Sequence, residues 1–140
     1  MPATSRIPAF HLDANVLLRF LRNDHADFSP RAKALIQQAN DSQAVLDISA
    51  VTAAEVFYAL RAAYHVRRRE AASTLANVLN APAFRLAEHK RMLDALARVQ
   101  SANVDFGDAY LAATAAETAT PIASFDRDLD KFADVTRHEP

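Results

Sequence analysis

The chain has 140 residues, a formal net charge of −1 and an apolar fraction of 51%. This length suits one domain with a real hydrophobic core, and the composition is that of a helix-rich globular protein rather than a disordered one. The sequence contains no cysteine, which excludes disulfides, thiolate zinc sites and cysteine nucleophiles.

Location and partners are constrained by the same composition. No apolar run approaches the roughly 20 residues of a membrane span. The chain starts with MPATSRIPAFHLD, a short polar arm rather than the long apolar region of a signal peptide. We therefore expect a single domain over residues 1–140 in the cytoplasm. Because the net charge is near zero, binding of nucleic acid would need a local basic patch.

In chain order, the predicted elements alternate between short apolar strands and helices. They are the buried strand IPAFHL, the helix ANVLLRFL, a helix capped by Ser29-Pro30 that runs to about Asn40, the strand AVLDIS, a helix from Ser49 or Thr52, the helix RRREAASTLANVLN, the strand FRLA, the helix HKRMLDALARVQ, a helix from about Asp105 to Thr118, the strand PIAS, a turn and short helix at FDRDLDKF, and an edge strand at DVTRH. This alternation favours the α/β class, with a central parallel sheet flanked by helices in three α/β/α layers.

Five acidic residues fall where such a fold binds ligands, outside the carboxyl ends of its strands. Asp13 directly follows the first strand, and Asp126 comes two residues after PIAS. Glu55 lies near the start of the helix after AVLDIS, while Asp105 and Asp108 open the helix that leads into PIAS. We expect all five to converge at one end of the molecule.

Each of these acids also has a purely structural interpretation. Asp13 and Asp105 would cap helices, Glu55 would form a capping box with Thr52, Asp108 would favour the positive end of its helix, and Asp126 would make an Asx-turn. Clustered carboxylates, however, repel one another and raise each other's pKa values, which a fold tolerates when a cation lies among them. Hard oxygen ligands select Mg²⁺ or Mn²⁺ over zinc, and such a cation suits phosphodiester cleavage.

Four segments in order carry a resemblance to a known family: HLDANVLLRFL (11–21), SAVTAAEVFYAL (49–60), DFGDAYLAATA (105–115) and PIASFDRDL (121–129). With these segments, the chain resembles PIN-domain ribonucleases, in particular the VapC-type toxins of bacterial toxin–antitoxin pairs. The resemblance covers essentially the whole chain. It departs from the usual pattern in the loop ETATP, where many members have a glycine.

The resemblance implies both a site and a function. It places the family's acidic quartet on Asp13, Glu55, Asp108 and Asp126, as catalytic residues and metal ligands. Asn15 matches a polar position that supports the first aspartate, and Ser124 matches a serine or threonine just before the fourth acid. The implied protein is a homodimeric endoribonuclease that depends on Mg²⁺, with Mn²⁺ as a substitute, and a VapB-type antitoxin inhibits it. Whether Asp105 or Asp128 joins the site stays open.

Other residues have two interpretations each. The basic run RRRE (Arg67–Glu70), with Arg61 and His65 nearby, is either a solvated helix face or a contact for the RNA backbone. Arg19 and Arg22 are candidates for phosphate or partner contact. We expect Phe57 in the core, and core packing is favoured over base stacking for Tyr58 and Tyr64. The histidines are scattered, and His25 is expected to be solvated.

Gly107 is the only glycine of the chain, and glycine weakens a helix. Its lack of a side chain would let substrate or backbone approach beside Asp108. The alternative is that this glycine has no functional role. Two other functions are compatible with the fold class. One is a non-catalytic module that binds RNA or protein. The other is an aspartate-phosphorylated hydrolase, but that chemistry usually needs an aspartate two residues after the first, and this chain has Asn15 there.

Overall fold

A computed structural model of the chain describes residues 6–140, so the first five residues of the predicted polar arm lie outside the described part. The chain forms two compact units. The first contains the residues up to Val56 together with Leu79–Ala87, and the second contains Phe57–Val78 and Glu88–Pro140.

The first unit holds a parallel three-stranded sheet in the order β1-β2-β3. Its strands are β1 (Ala9–His11), β2 (Val45–Ile48) and β3 (Phe84–Leu86). Leu46 and Ile48 of β2 and Leu86 of β3 are buried, which fits the expectation for strands of a parallel sheet. All three residues of β1 are exposed, so the prediction of a buried first strand is wrong.

Helices α1 (Ala14–Arg22) and α2 (Phe28–Asn40) also belong to this unit and pack against each other. The apolar spacing in α1 buries Leu17 and Leu18. Asn23 ends the helix in the left-handed conformation (φ 49°), and its N–H bonds back to the carbonyl oxygen of Arg19.

The start of α2 differs from the prediction. The helix begins at Phe28, so Ser29 lies inside it, and the hydroxyl of Ser29 accepts a bond from the N–H of His25 at 3.1 Å. Nδ1 of His25 accepts bonds from the N–H groups of Asp27 and Phe28, at 3.2 and 2.8 Å, and its ring stacks on Phe28. His25 is therefore half-buried and caps the helix, rather than being solvated.

Helix α3 (Ala50–Ala62) starts in the first unit and continues into the second, where α4 (Arg68–Leu79), α5 (His89–Ala102) and α6 (Phe106–Thr118) follow. Helices α5 and α6 pack against each other. Met92, Leu96 and Val99 of α5 are fully buried. Ala109, Ala112 and Ala113 of α6 are also buried, and their small side chains suit close packing of the two helices.

The end of the second unit positions one of the candidate acids. Strands β4 (Ile122–Ala123) and β5 (Arg137–His138) form a parallel pair, and a 3₁₀ helix spans Arg127–Lys131 between them. The predicted strand PIAS and the predicted edge strand at the end of the chain are thus confirmed. The five strands form two hydrogen-bonded sheets rather than one. Among the described residues, every helix is too short or too polar to cross a membrane.

Candidate active site

Four aspartates of the second unit interact around the start of α6. Burial of Asp108 raises the pKa of its carboxyl group, and the charges of Asp126, Asp105 and Asp128 raise that pKa further. Arg68 opposes this effect only in part. Negative charge is therefore concentrated around Asp108 beyond what Arg68 neutralises, and it disfavours ionisation of Asp108 itself.

Asp105 stands at the N-cap position of α6, with extended backbone (φ −69°, ψ 158°), but its side chain makes no capping hydrogen bond. Its carboxylate instead accepts from Nε of Arg68 at 3.1 Å. The first turn of α6 is capped from elsewhere, because the N–H of Gly107 donates to the hydroxyl of Tyr58 at 3.0 Å. The capping interpretation of Asp105 therefore holds for its backbone and not for its side chain.

A tight turn after β4 fixes Asp126. The hydroxyl of Ser124 accepts from the N–H of Asp126 at 2.9 Å, and Oδ1 of Asp126 accepts from the N–H of Asp128 at 2.9 Å. The second bond is the predicted Asx-turn, and it starts the 3₁₀ helix. Asp126 and Asp128 are both exposed, and Asp128 also forms an ion pair with Lys131 at 3.5 Å.

Asp13 lies in the first unit, directly between β1 and α1. Its backbone occupies the N-cap position, while its exposed side chain makes no capping hydrogen bond. Asn15 is exposed in the first turn of the same helix. The structure therefore removes the capping explanation for the carboxylate of Asp13.

Glu55 is exposed in the second turn of α3. The hydroxyl of Ser49 accepts from the N–H of Thr52 at 3.1 Å and so caps this helix. The hydroxyl of Thr52 donates to the carbonyl oxygen of Leu12 at 3.3 Å, which ties the start of α3 to the end of β1. The predicted capping box between Thr52 and Glu55 is therefore wrong, because Thr52 lies inside the helix.

The structure thus brings Asp108 and Asp126 together in one unit, joined by Asp105 and Asp128. Asp13 and Glu55 lie in the other unit, and the meeting of all four quartet members stays a prediction. Within residues 6–140, no three histidine, aspartate or glutamate side chains are arranged so that they could hold a metal ion.

A comparison with protein families matches residues 11–135 to the PIN domain. The chain belongs to the PIN domain family. A search of curated proteins found no match. The family, the parallel strands and the six α-helices of the described residues confirm the predicted three-layer α/β/α fold class.

PIN domains are generally nucleases, which supports a hydrolase function for this PIN domain at a coarse level. Nucleases of this family generally use divalent metals, and the family points to RNA as a substrate. These properties match the type of chemistry that clustered carboxylates support.

Several further residues shape this region of the PIN domain. Phe57 is fully buried, as predicted, whereas Tyr58 is 42% exposed and acts through its hydroxyl rather than as a core residue. Phe125 lies directly before Asp126 and is 71% exposed. Sequence reasoning missed it because phenylalanine is usually buried. The signal that could have found it is its place between Ser124 and Asp126.

Arg19 of α1 has a local partner. Its guanidinium forms an ion pair with Asp24 at 3.4 Å, and both side chains are more than one third exposed. Such a pair contributes little to stability. It nevertheless explains the position of the Arg19 side chain without any contact to a phosphate or a partner.

Proposed function

We propose that this PIN domain is a Mg²⁺-dependent endoribonuclease and the toxin of a type II toxin–antitoxin pair. In this proposal Asp13, Glu55, Asp108 and Asp126 bind the metal, and Mn²⁺ can replace Mg²⁺. The observation that carries the proposal is the raised pKa of Asp108 among three further aspartates. A fold gains no stability from such repulsion, whereas a site for a cation requires it.

The chemistry of the donor atoms suits a hard divalent cation, while the carboxylates of residues 6–140 are not arranged to hold one without rearrangement. Carboxylate oxygen atoms are the ligands that Mg²⁺ and Mn²⁺ prefer, and the chain has no cysteine that would select zinc. The charges of Asp126, Asp105 and Asp128, which now disfavour ionised Asp108, would all attract a bound cation. A divalent cation at this position supplies activation of water and neutralisation of charge on the phosphodiester.

The residues around the carboxylates orient them. The hydroxyl of Ser124 holds the backbone of Asp126, whose own Oδ1 is fixed by the N–H of Asp128. The first turn of α6 presents Asp108 from a rigid helix that packs on α5. Such preorganisation limits the reorganisation that binding of metal and substrate would otherwise require.

The exposed ring of Phe125 supports RNA as the substrate. An aromatic side chain that is 71% exposed beside a proposed catalytic carboxylate offers a stacking surface for an unpaired base. Stacking of this kind is tolerant of sequence and acts on single-stranded regions. We therefore propose that cleavage occurs in loops or single strands, through direct contact between Phe125 and a base.

The toxin role, the homodimer, the VapB-type antitoxin and the cytoplasmic location rest on the four segments that resemble VapC-type toxins. An antitoxin that covers the carboxylates would control the activity. The neighbouring open reading frame tests this part of the proposal. A small adjacent gene whose product binds the PIN domain and stops cleavage is the expected result.

The catalytic part is tested by incubating the purified protein with RNA and Mg²⁺. We expect cleavage that leaves 5′-phosphate and 3′-hydroxyl ends and stops when EDTA removes the metal. Asp108→Asn and Asp13→Asn are each expected to reduce the rate by about 100-fold or more, the scale of losing a group that stabilises transition-state charge.

The matched control is Asp41→Asn. Asp41 is an exposed aspartate beyond the end of α2, and its side chain only accepts from Gln37 at 3.1 Å. This variant should cleave like the parent, and circular dichroism should show that all three variants are folded. Full activity of Asp108→Asn contradicts the site assignment. Binding of RNA without any cleavage favours the non-catalytic module instead.

A further inference from the structure

A cleft in the second unit is lined mainly by arginine side chains. It has a volume of about 450 Å³, and its lining residues are Arg61, Arg67, Arg68, Arg69 and Asn103. We call it the arginine cleft. The end of α3, the start of α4 and the residue after α5 contribute to it, and the first two of these segments bring four arginines together.

Two of these arginines are held by the protein. Arg68 donates from Nε to Asp105 at 3.1 Å and from a terminal nitrogen to the carbonyl oxygen of Asn103 at 2.7 Å. Arg61 donates to the carbonyl oxygen of Val66 at 3.3 Å. Their guanidinium groups therefore form part of the fixed wall of the cleft.

The other two arginines are available to a ligand. Arg67 and Arg69 are exposed, and within residues 6–140 neither guanidinium takes part in a hydrogen bond or an ion pair with the protein. By contrast, four arginines elsewhere in the described chain form ion pairs: Arg85 with Asp47, Arg91 with Glu117, Arg98 with Asp134, and Arg137 with Asp130. A concentration of positive charge in a concave surface attracts anions.

The arginine cleft adjoins the carboxylates of the candidate active site. Arg68, which lines the cleft, forms an ion pair at 3.1 Å with Asp105, the N-cap residue of α6, and Asp108 lies in the first turn of that helix. A positive cleft thus lies next to a negative cluster. In the proposed function, a metal bound by the carboxylates cleaves the RNA backbone. Cationic groups next to the reacting bond would then neutralise the neighbouring phosphates and hold the RNA in place.

We propose that the arginine cleft binds a backbone phosphate of single-stranded RNA, next to the bond that is cleaved at the carboxylates. Arg67 and Arg69 contact the phosphate, because a guanidinium group forms two parallel hydrogen bonds with phosphate oxygens. Arg68 and Arg61 shape the wall. The volume lies within the range of roughly 300–1,000 Å³ that small-ligand sites occupy, which admits a phosphate with its sugar. This inference rests on the proposed function.

The test measures binding rather than cleavage. A fluorescently labelled single-stranded RNA oligonucleotide is titrated with the full chain in EDTA, at several salt concentrations, and anisotropy gives the Kd. We expect Arg67→Ala/Arg69→Ala to weaken binding by about tenfold. We also expect the slope of log K against log salt to fall by about 0.7, since each phosphate neutralised on a single strand contributes about 0.7.

The control is Lys33→Ala/Lys90→Ala, which removes the same charge from two exposed lysines outside the cleft. This variant should keep the parent's salt slope. The proposal is overturned if both double variants weaken binding equally, because bulk charge then explains the effect. It is also overturned if poly-glutamate competes as well as RNA of equal charge, which would assign the cleft to an acidic protein.

A cleavage assay in Mg²⁺ separates failure of this proposal from failure of the proposed function. If the parent cleaves RNA and Arg67→Ala/Arg69→Ala has the same KM and kcat, the phosphate site is wrong and the nuclease stands. If the parent does not cleave RNA, the nuclease is wrong. The anisotropy result then decides on the arginine cleft alone, as a site for RNA binding.

Discussion

The contacts of Gly107 explain why a glycine occupies this position. The residue lies in the first turn of α6, where helix N–H groups lack partners within the helix. The carboxylate of Asp105 would normally accept from one of them, but it pairs with Arg68. The hydroxyl of Tyr58 accepts from the N–H of Gly107 instead, so a tyrosine on another helix completes the cap.

A side chain at position 107 would disturb this contact. A Cβ atom there would lie 3.1 Å from the hydroxyl oxygen of Tyr58, which must then shift. In a Tyr58→Phe background we expect Gly107→Ala to be neutral or stabilising by up to about 1 kcal/mol, because alanine favours the helix. In the parent, the same change should be less favourable by at least about 0.5 kcal/mol, as measured by urea unfolding. Equal effects in both backgrounds would show that the tyrosine contact does not explain the glycine.

Asp108 shows a conflict between stability and function at a single side chain. It is half-buried, and its three aspartate neighbours disfavour its charge. A structural aspartate at a helix start would be exposed or paired with a cation. The conflict is explained if the function of the carboxylate is to bind a positively charged ligand.

At the scale of elements, Arg98 connects α5 to the chain segment before β5. Its side chain is only 12% exposed, and it bonds to both carboxylate oxygens of Asp134 and to Asp94. Its guanidinium also lies over the ring of Phe132, 5.2 Å from the ring centre. The hydrogen bonds from Arg98 lower the pKa of Asp134.

This lowered pKa predicts a pH dependence of stability. A carboxylate whose pKa is lower in the folded state stabilises that state above its ordinary pKa of about 3.9, and the contribution disappears as the pH falls through the folded-state value. Asp134→Asn should therefore reduce the free energy of unfolding at pH 7, by up to about 1 kcal/mol because the carboxylate is largely exposed. The difference from the parent should shrink below about pH 4.

Urea unfolding at several pH values measures this effect, with Asp41→Asn as the control that changes the same charge. A difference between parent and Asp134→Asn that is constant from pH 7 to pH 3 would show that ionisation of Asp134 does not stabilise the fold.

The sequence predicts the elements better than their ends. Helical spacing of apolar residues locates α1 and α5, because periodicity is a local property of the chain. The start of α2 was missed because a histidine ring caps it, which no capping pattern describes. The apolar residues of β1 predict a buried strand, yet its residues are exposed, because exposure depends on what packs against a strand and not on the strand itself.

At the scale of the whole molecule, the order of four segments predicts the family and the positions of the acids along the chain. The order of the segments does not predict the contacts that determine the burial and the pKa values of these acids. Arg68 and Asp105 are 37 residues apart, and Tyr58 and Gly107 are 49 residues apart, so neither pair could be recognised from sequence spacing. The sequence leaves the role of the basic run open for the same reason, because residues from three separate segments line the cleft.

The central claim is that the carboxylates around Asp108 form a site for a divalent cation. The melting temperatures of the parent and of Asp108→Asn, each at neutral pH in EDTA and in Mg²⁺, test it most directly. A raised pKa means that folding disfavours ionised Asp108, so this charge costs stability at pH values above its folded-state pKa. In EDTA the variant should therefore melt a few degrees above the parent.

Addition of Mg²⁺ or Mn²⁺ should raise the melting temperature of the parent, because a ligand that binds only the folded state stabilises it. The same ions should have little effect on Asp108→Asn, while Asp41→Asn should respond like the parent. No shift of the parent with either ion, or an equal shift of Asp108→Asn, would contradict the claim.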